Sequence, residues 1–314
     1  MIAVGPEISV IICSYNRARY IREALESLYR QDISKDFFEV IVVDNNSTDE
    51  TDQVCHTFLN NHPDLNGQYL KESQQGSSFA RNTGAEAAKG RILVFMDDDA
   101  VAEADFISGY IKLFKEIPDA VGAGGRIIPR YIPDEPAWMS YYVSSLVGNF
   151  DYSPIRCAFK QGKYPLESNM AVRNEAFKRI GGFNTDLPGV KGTLRIGGEG
   201  KDLFYRLTAD GSSIIYDPAI RVMHVVETAK LTRAYMYRVA SGIGRGERVR
   251  ISEEGKIGFL IKLSEYLFKL AASFVLAFLY LLKGKPKQSI PVICFRIDVI
   301  EGFIGIISRK TAYS

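Results

Sequence analysis

The chain has 314 residues, of which 46% are apolar and 24% are charged. This composition is ordinary for a globular protein, and it excludes a disordered or collagen-like chain. The four cysteines (Cys13, Cys55, Cys157 and Cys294) lie far apart without a CxxC pair. Their spacing argues against a disulfide scaffold or a cysteine zinc site and predicts reduced thiols in a cytoplasmic protein.

The net charge of +2 conceals an asymmetry along the chain. Residues 228–314 carry fifteen Lys and Arg against six Asp and Glu, so this segment stands at +9 and residues 1–227 at −7. A basic C-terminal segment predicts contact with an anionic surface, for which membrane phosphates and nucleic acid are the candidates. No basic region precedes the first apolar stretch, so we expect no signal peptide.

Apolar runs at 8–13, 40–43 and 92–96 alternate with segments that have helical spacing, and Leu70 closes a weaker strand. Strands of this kind, separated by helices, predict an α/β fold with a mainly parallel sheet covered on both faces. Ligands of such sheets bind beyond the carboxyl ends of the strands. Polar residues stand at three of these ends, namely 14–17, 44–46 and 97–99.

The alternation weakens after residue 120. We expect strands at 120–128 and 166–173 and an irregular flap at 129–165. A helix at 199–209 follows, then extended segments at 213–217 and 221–226, and helices to the end.

Three adjacent carboxylates, Asp97, Asp98 and Asp99, directly follow a buried strand. They repel one another, and a hard cation such as Mg²⁺ or Mn²⁺ would relieve the repulsion and could hold a diphosphate. The alternative is a solvated acidic helix cap. Asp44 also ends a buried strand. Its carboxylate could bind the base or the ribose of a nucleotide, or Asp44 could simply form a turn.

The segment 198–207 predicts a helix that begins near Glu199, with Asp202 one turn further on. A carboxylate at this place could take a proton from an acceptor hydroxyl. The alternative is helix capping together with an ion pair between Asp202 and Arg206. A glycine-rich segment at 242–247 lacks the last glycine of a dinucleotide-binding motif and follows a helix, so a dinucleotide fold is disfavoured.

An ordered set of motifs resembles the inverting family 2 glycosyltransferases with the GT-A fold, of the bacterial polysaccharide or cell-envelope type. The motifs are SVIICSYNR (9–17), VVDNNSTDET (42–51), GSSFARNTG (76–84), ILVFMDDDA (92–100), SNMAVRNEAFKRIGGFN (168–184) and GGEGKDLFYRL (197–207). The resemblance implies a Rossmann-like catalytic domain over residues 1–227, followed by a basic, amphipathic helical region at 228–314. Within the domain, the nucleotide-binding part is expected at about 7–127 and the acceptor-binding part at about 128–227.

The resemblance also implies roles for individual residues. The nucleotide of the donor is expected to be bound by Ser14, Tyr15, Asn16, Arg17, Asp44, Asn46, Arg81, Asn82, Asp97 and Asp98. Asp97 and Asp99 are expected to hold the metal ion, with His224 as a third ligand or as a contact of the diphosphate. The alternative for His224 is a core histidine bonded to the backbone. The sugar and acceptor pocket is expected to be lined by Asn169, Met170, Gly181, Gly182 and Phe183.

The catalytic base is the one departure from the family pattern. Many relatives carry Glu-Asp where this chain has Glu199-Gly200. Glu199 is therefore the first candidate for the base, and Asp202 is the second.

The implied reaction is the metal-assisted transfer of a sugar from a nucleotide sugar, with UDP-sugar expected. The acceptor is expected to be a hydroxyl of a glycan or of a polyprenyl-diphosphate-linked glycan. One alternative is a catalytically silent sugar-nucleotide-binding scaffold. Another is a sugar-1-phosphate nucleotidyltransferase, although its glycine-rich loop is missing after the first strand.

The C-terminal region has an apolar helical stripe over residues 257–282, followed by Lys283, Lys285 and Lys287. Its uncharged part, 270–282, is shorter than the about 20 residues that a membrane span needs. We therefore expect amphipathic helices attached peripherally to inner-leaflet lipid at the cytoplasmic face of the membrane. The alternative is packing on the catalytic domain or dimerisation. No nucleic-acid partner is expected, because the charges interleave with aliphatic runs.

Overall fold

The computed structural model describes residues 5–191 and 194–305. The first part of the chain alternates strands and helices as predicted: β1 (Ile8–Ser14), α1 (Ala18–Tyr29), β2 (Phe38–Asp44), α2 (Thr51–Asn61), β3 (Gly67–Lys71), α3 (Ser77–Ala87), β4 (Ile92–Asp97), β5 (Ala100–Ala102), α4 (Phe106–Glu116) and β6 (Ala120–Ile132).

The remaining elements are α5 (Tyr141–Ser144), β7 (Cys157–Ala158), β8 (Met170–Arg173), α6 (Asn174–Arg179), β9 (Gly189–Lys191), β10 (Leu194–Ile196), α7 (Glu199–Leu207), β11 (Ser213–Glu227), α8 (Arg233–Arg250), α9 (Gly255–Leu282) and α10 (Ser289–Ile304). A short 3₁₀ helix, Glu167–Asn169, leads into β8. The two extended segments expected near residues 213–226 form one continuous strand, β11.

One sheet runs in the order β3-β2-β1-β4-β8-β6-β11-β5, and β7 pairs with β11 beside it. The first four strands, β1 to β4, are parallel to one another, as predicted. β8 is antiparallel to β4 and to β6, and β5 is antiparallel to β11. The sheet is therefore mixed, and the α/β fold expected from the sequence is confirmed.

Both faces of the parallel strands are buried. Val10 and Ile12 of β1 belong to one apolar cluster, whereas Ile11 between them belongs to another. Val42 and Val43 of β2 divide in the same way. Because successive side chains of a strand point to opposite faces, burial on both faces produces the continuous apolar runs seen in the sequence.

The chain forms two compact units. The first contains the residues up to Ile128 together with Phe150–Thr185 and Gly200–Val225. The second contains Pro129–Asn149, Asp186–Glu199 and the residues from Val226 onward. The domain boundary expected at residue 227 remains a prediction.

In the second unit, α8 packs against α10 around a cluster that includes Val239, Val292 and Val299. Arg233 of α8 donates two hydrogen bonds of 2.6 Å to the buried carboxylate of Asp298 on α10. α9 is largely exposed along its length. By length and composition it could cross a membrane, which is a property that core helices of soluble proteins can share.

Candidate active site

Asp97, Asp99 and His224 form a cluster at the end of β4. Asp97 is the last residue of β4, and Asp99 directly precedes β5. β5 pairs with β11 so that Ala100 lies opposite His224. This pairing brings His224 Nε2 within 2.9 Å of Asp99 Oδ1. One potential ligand atom from each of the three residues lies within 4.8 Å of the others.

The donor set of this cluster fits a divalent cation. Two carboxylates and one imidazole are ligands that Mg²⁺ or Mn²⁺ can accept, and Asp97 is partly open to solvent. Asp98 lies between the two acidic ligands and is buried. Burial and the neighbouring charge of Asp99 raise the pKa of Asp98 to about 8. The charge of Asp99 thus opposes ionisation of Asp98, and a cation bound between these carboxylates would relieve their repulsion.

Asp98 is also the link between β4 and the loop that follows β1. Its carboxylate accepts a hydrogen bond of 2.8 Å from Ser14 Oγ and lies 3.7 Å from Arg17 Nε. The register of the sheet places Cys13 of β1 opposite Asp97 of β4. Two of the predicted donor-binding residues, Ser14 and Arg17, therefore lie beside the acidic cluster.

Asp97 contacts two side chains from other parts of the first unit. Ser168 Oγ donates a hydrogen bond to Asp97 Oδ2. The buried guanidinium of Arg81 lies 3.8 Å from Asp97 Oδ1, and it stands 5.4 Å from the ring centre of Phe183. Arg81 is therefore placed at the edge of the cluster, where a cation can face a diphosphate.

The loops after β1 and β2 are tied to each other. Asn16 and Asn46 have positive φ values of 54° and 67°. Asn16 Oδ1 accepts a hydrogen bond of 2.8 Å from Thr48 N. Asp44 accepts hydrogen bonds from Ser47 N (2.8 Å) and from the hydroxyl of Tyr69 (2.6 Å). These hydrogen bonds join the two loops, and the carboxylate of Asp44 supports the turn after β2. Nucleotide binding by the residues of these loops, including Tyr15, remains a prediction.

Asn169 and Met170, which were predicted to line the acceptor pocket, have fully buried side chains. The amide of Asn169 accepts from the hydroxyl of Tyr110 and donates to the carbonyl oxygens of Arg126 and Ile220. Met170 lies in the apolar core. Both side chains can therefore pack beneath the lining of a pocket. Their direct contact with substrate remains a prediction.

The other predicted pocket residues form a tight turn. Gly181 and Gly182 have φ values of 76° and 74°, which glycine adopts readily. The amide of Asn82 donates to the carbonyl of Phe183 (2.9 Å) and accepts from its N–H (2.8 Å). The amide of Asn82 thus holds the turn at Phe183, and its predicted contact with the donor remains a prediction.

The two sequence candidates for the base lie on α7 and differ in their surroundings. Glu199 is the first residue of the helix and is only 3% exposed. Asp202 accepts a hydrogen bond of 2.8 Å from Arg206 Nε. Arg206 donates further to the carbonyl oxygens of Ile180 and Gly182. The ion pair foreseen as an alternative for Asp202 is therefore present.

Sequence reasoning missed a third carboxylate, that of Glu167. Its Oε1 accepts a hydrogen bond of 3.0 Å from Gly200 N in the first turn of α7. Its neighbour in the chain is Ser168, which contacts Asp97. The signal in the sequence was slight, because Glu167 stands one residue before the SNM motif and belongs to no recognised pattern.

A protein-family model described as "Glycosyl transferase family 2" matches residues 9–181. The glucosyl-dolichyl phosphate glucuronosyltransferase of Haloferax volcanii is 27% identical over 223 residues, which are 69% of each chain. The poly(ribitol-phosphate) beta-N-acetylglucosaminyltransferase TarS of Staphylococcus aureus is 33% identical over 135 residues. That match spans 41% of this chain but only 23% of TarS.

Among solved structures, the mannosyltransferase PcManGT from Pyrobaculum calidifontis, in complex with GDP-Man and Mn²⁺, has a TM-score of 0.65 at 21% identity. The similarity covers 96% of this chain and 87% of PcManGT. TarS in complex with UDP-GlcNAc has a TM-score of 0.53 at 18% identity, covering 96% of this chain and 84% of that one. At these identities the likeness shows the fold.

Proposed function

Since the chain belongs to glycosyl transferase family 2, we propose that it transfers a sugar from a nucleoside-diphosphate sugar to an acceptor hydroxyl with inversion at the anomeric carbon. The family model spans more than half of the chain, so the predicted family and the predicted enzyme class, a glycosyltransferase, are confirmed. The donor, the acceptor and the stereochemistry belong to the proposal.

The cluster of Asp97, Asp99 and His224 is the observation that carries the proposal. We assign these residues as the ligands of Mg²⁺ or Mn²⁺. A divalent cation at this place supplies positive charge that stabilises a departing diphosphate. The presence of Mn²⁺ in the PcManGT complex supports a divalent cation in this fold.

The chain's own side chains have three further tasks in this mechanism. Arg81 faces the diphosphate and adds to the stabilisation of its charge. The loop surface around Ser14, Tyr15, Asn16, Arg17, Asp44 and Asn46 binds the base and the ribose. A carboxylate on the opposite side of the sugar ring accepts the proton of the attacking hydroxyl.

The substrate class is proposed from the relatives. Complexes of PcManGT with GDP-Man and of TarS with UDP-GlcNAc support a nucleoside-diphosphate sugar as the donor, and UDP-sugar remains our expectation. The relative from Haloferax volcanii is named for a dolichyl-phosphate-linked glucose. That name supports a lipid-linked acceptor, and the exposed apolar side chains of α9 support attachment to a membrane. We propose the cytoplasmic face, as expected from the sequence.

We also propose the division of the chain into two regions that the sequence predicts. Residues 1–227 would form the catalytic domain, and residues 228–314 would serve membrane association. The basic residues that follow α9 suit this task, since they can face anionic headgroups.

Calorimetric titration of the full chain with UDP-, GDP-, dTDP- and CMP-sugars, in Mn²⁺ and then in EDTA, tests the proposal. We expect one nucleotide class to bind and expect EDTA to weaken that binding. Asp99→Ala should abolish turnover and weaken donor binding in Mn²⁺ roughly 100-fold. Asp119→Asn, an exposed acid on the same unit, is the control and should change neither. Full activity of Asp99→Ala in saturating Mn²⁺ would rule out the metal assignment.

A further inference from the structure

The chain has glycine at position 200, where α7 begins, and this glycine is packed against a carboxylate from another segment. A Cβ atom built on Gly200 would overlap Oε1 of Glu167 and lie 2.8 Å from its Cδ. Any side chain at position 200 would therefore have to displace the carboxylate of Glu167. The space beside the start of α7 is occupied by an acid group that comes from the 3₁₀ helix before β8.

The two acids of α7 itself are less suited to receive a proton from a substrate. The carboxylate of Asp202 is engaged with Arg206, and this guanidinium also holds the turn at Gly182. Glu199 is almost entirely buried. Glu167, by contrast, is partly exposed to solvent.

The surroundings of Glu167 favour the ionised form that a base requires. Its carboxylate accepts the N–H of Gly200 at the N-terminus of a nine-residue helix, where the helix dipole favours negative charge. A carboxylate offers two oxygen atoms with several acceptor sites, and the bond from Gly200 N occupies one of them.

Glu167 is next in the chain to a residue that contacts the metal cluster. Its neighbour Ser168 contacts Asp97, and consecutive Cα atoms are about 3.8 Å apart. The two neighbours reach different elements, because Ser168 reaches the end of β4 and Glu167 reaches α7. An inverting transferase needs its base on the face of the sugar opposite to the diphosphate, and a carboxylate that contacts α7 instead of β4 is compatible with this requirement.

We propose that Glu167 is the general base of the transfer, an assignment that rests on the proposed function. The acceptor oxygen bonds to the anomeric carbon while the bond from that carbon to the phosphate oxygen breaks. The electron pair of the broken bond leaves with the nucleoside diphosphate, and the acceptor proton passes to the carboxylate of Glu167.

The first test is Glu167→Gln in the full chain. The amide keeps a carbonyl oxygen that can accept the Gly200 N–H, so a purely structural cap survives the change. We expect kcat to fall by about 100-fold or more while the Kd for the donor in Mn²⁺ stays within about twofold. The rate is measured as nucleoside diphosphate released with an octyl glycoside or a phytanyl-diphosphate-linked monosaccharide as acceptor. Glu175→Gln, an exposed acid on α6, is the matched control and should keep the wild-type rate.

A second test moves the carboxylate to the opposite partner of the contact. Glu167→Ala removes the acid and leaves room beside Gly200. Adding Gly200→Asp in that background returns a carboxylate to the same space from α7. We expect kcat of this double variant to be at least about tenfold higher than kcat of Glu167→Ala. Gly200→Ala in the wild-type background should lower kcat, because its methyl group displaces Glu167.

The outcomes separate the two proposals. A wild-type chain that binds and turns over none of the donors overturns the proposed function and this inference with it. A wild-type chain that turns over a donor while Glu167→Gln keeps the full rate overturns this inference alone. Loss of activity in Glu199→Gln with full activity in Glu167→Gln would return the role of base to Glu199.

Discussion

At the scale of single residues, the acidic cluster combines neighbours in the chain, the aspartates after β4, with a residue that is distant in the chain, His224. Three adjacent aspartates after an apolar strand predict a cation site because their charges repel. His224 comes to the same place only because β5 pairs with β11. The pairing turns a run of acids into a set of two carboxylates and one imidazole.

Asp202 provides a prediction that separates stability from catalysis. Asp202→Asn removes the charge that faces Arg206, and Arg206 in turn holds the turn at Gly182. We expect the free energy of unfolding to fall by roughly 1–2 kcal/mol, because the pair is partly screened by solvent. Urea unfolding measures this, and kcat should change by less than the effect of Glu167→Gln.

The control for Asp202 is Asp210→Asn. Asp210 pairs with Arg179 at 3.4 Å, but both side chains are 56% exposed. A solvated pair of this kind contributes little, so its removal should leave the unfolding midpoint unchanged. A loss of kcat in Asp202→Asn without a loss of stability would contradict the structural role of Asp202.

Cys55 provides a prediction about pH. Burial, together with the nearby charges of Asp44 and Asp52, raises the pKa of the Cys55 thiol to about 12. The thiolate is the reactive form, so raising the pH from about 7 to about 9 should not make Cys55 reactive in the folded chain. Alkylation with iodoacetamide followed by mass spectrometry should leave Cys55 unmodified until urea unfolds the first unit. Rapid native labelling at pH 9 would contradict the burial of this thiol.

At the scale of elements, the glycines of α8 explain a motif that the sequence left without a role. Glycine inside a helix is unfavourable by about 1 kcal/mol relative to alanine, so a repeated glycine needs a packing reason. A Cβ on Gly244 would overlap the carbonyl oxygen of Val299 and lie 2.6 Å from the N atom of Phe303, both on α10. A Cβ on Gly302 of α10 would likewise overlap the backbone of Ser241. Gly244 of the glycine-rich segment 242–247 thus permits close contact between α8 and α10.

Gly244→Ala should therefore destabilise the second unit. The added methyl group forces α8 and α10 apart, and overpacking of this kind lowers stability by roughly 1–3 kcal/mol. Thermal unfolding followed by circular dichroism measures the loss. Ile243→Ala, at an exposed neighbouring position, is the control and should change the midpoint little. An unchanged midpoint in Gly244→Ala would contradict the close contact of the helices.

At the scale of the whole molecule, α9 is the feature that bears on where the protein works. It presents many large apolar side chains to solvent, including Ile257, Phe268 and Phe278. Three exposed lysines, Lys283, Lys285 and Lys287, follow it. An apolar surface beside a group of positive charges suits an anionic bilayer.

Co-sedimentation of the full chain with vesicles that contain phosphatidylglycerol tests this attachment. Replacing Lys283, Lys285 and Lys287 by Gln should weaken binding by roughly 100-fold, since each lysine near the surface contributes about 1 kcal/mol. Replacing the exposed Lys89, Lys112 and Lys115 of the first unit is the charge-matched control. Retention in the membrane after extraction at pH 11 would show instead that α9 spans it.

The sequence by itself determined the order of the helices and strands, and it determined which edge of the sheet carries the candidate site. Burial on both faces makes strands readable as apolar runs, and parallel strands bring their carboxyl ends to one edge. Ser14, Asp44 and Asp97 could therefore be assigned to one surface without coordinates. The motif order was sufficient to predict the family as well.

What only the tertiary structure decided are the contacts between segments that are distant in the chain. The approach of His224 to Asp99, the engagement of Asn82 with Phe183 and the contact of Glu167 with Gly200 leave no periodic pattern, because each depends on how two elements pack. Periodicity reports which face of an element is buried, whereas the partner of a polar group is set by the packing of the whole unit. For that reason the acids of the proposed metal site could be predicted from the strand pattern, whereas His224 was expected there only from the family resemblance and Glu167 was not expected at all.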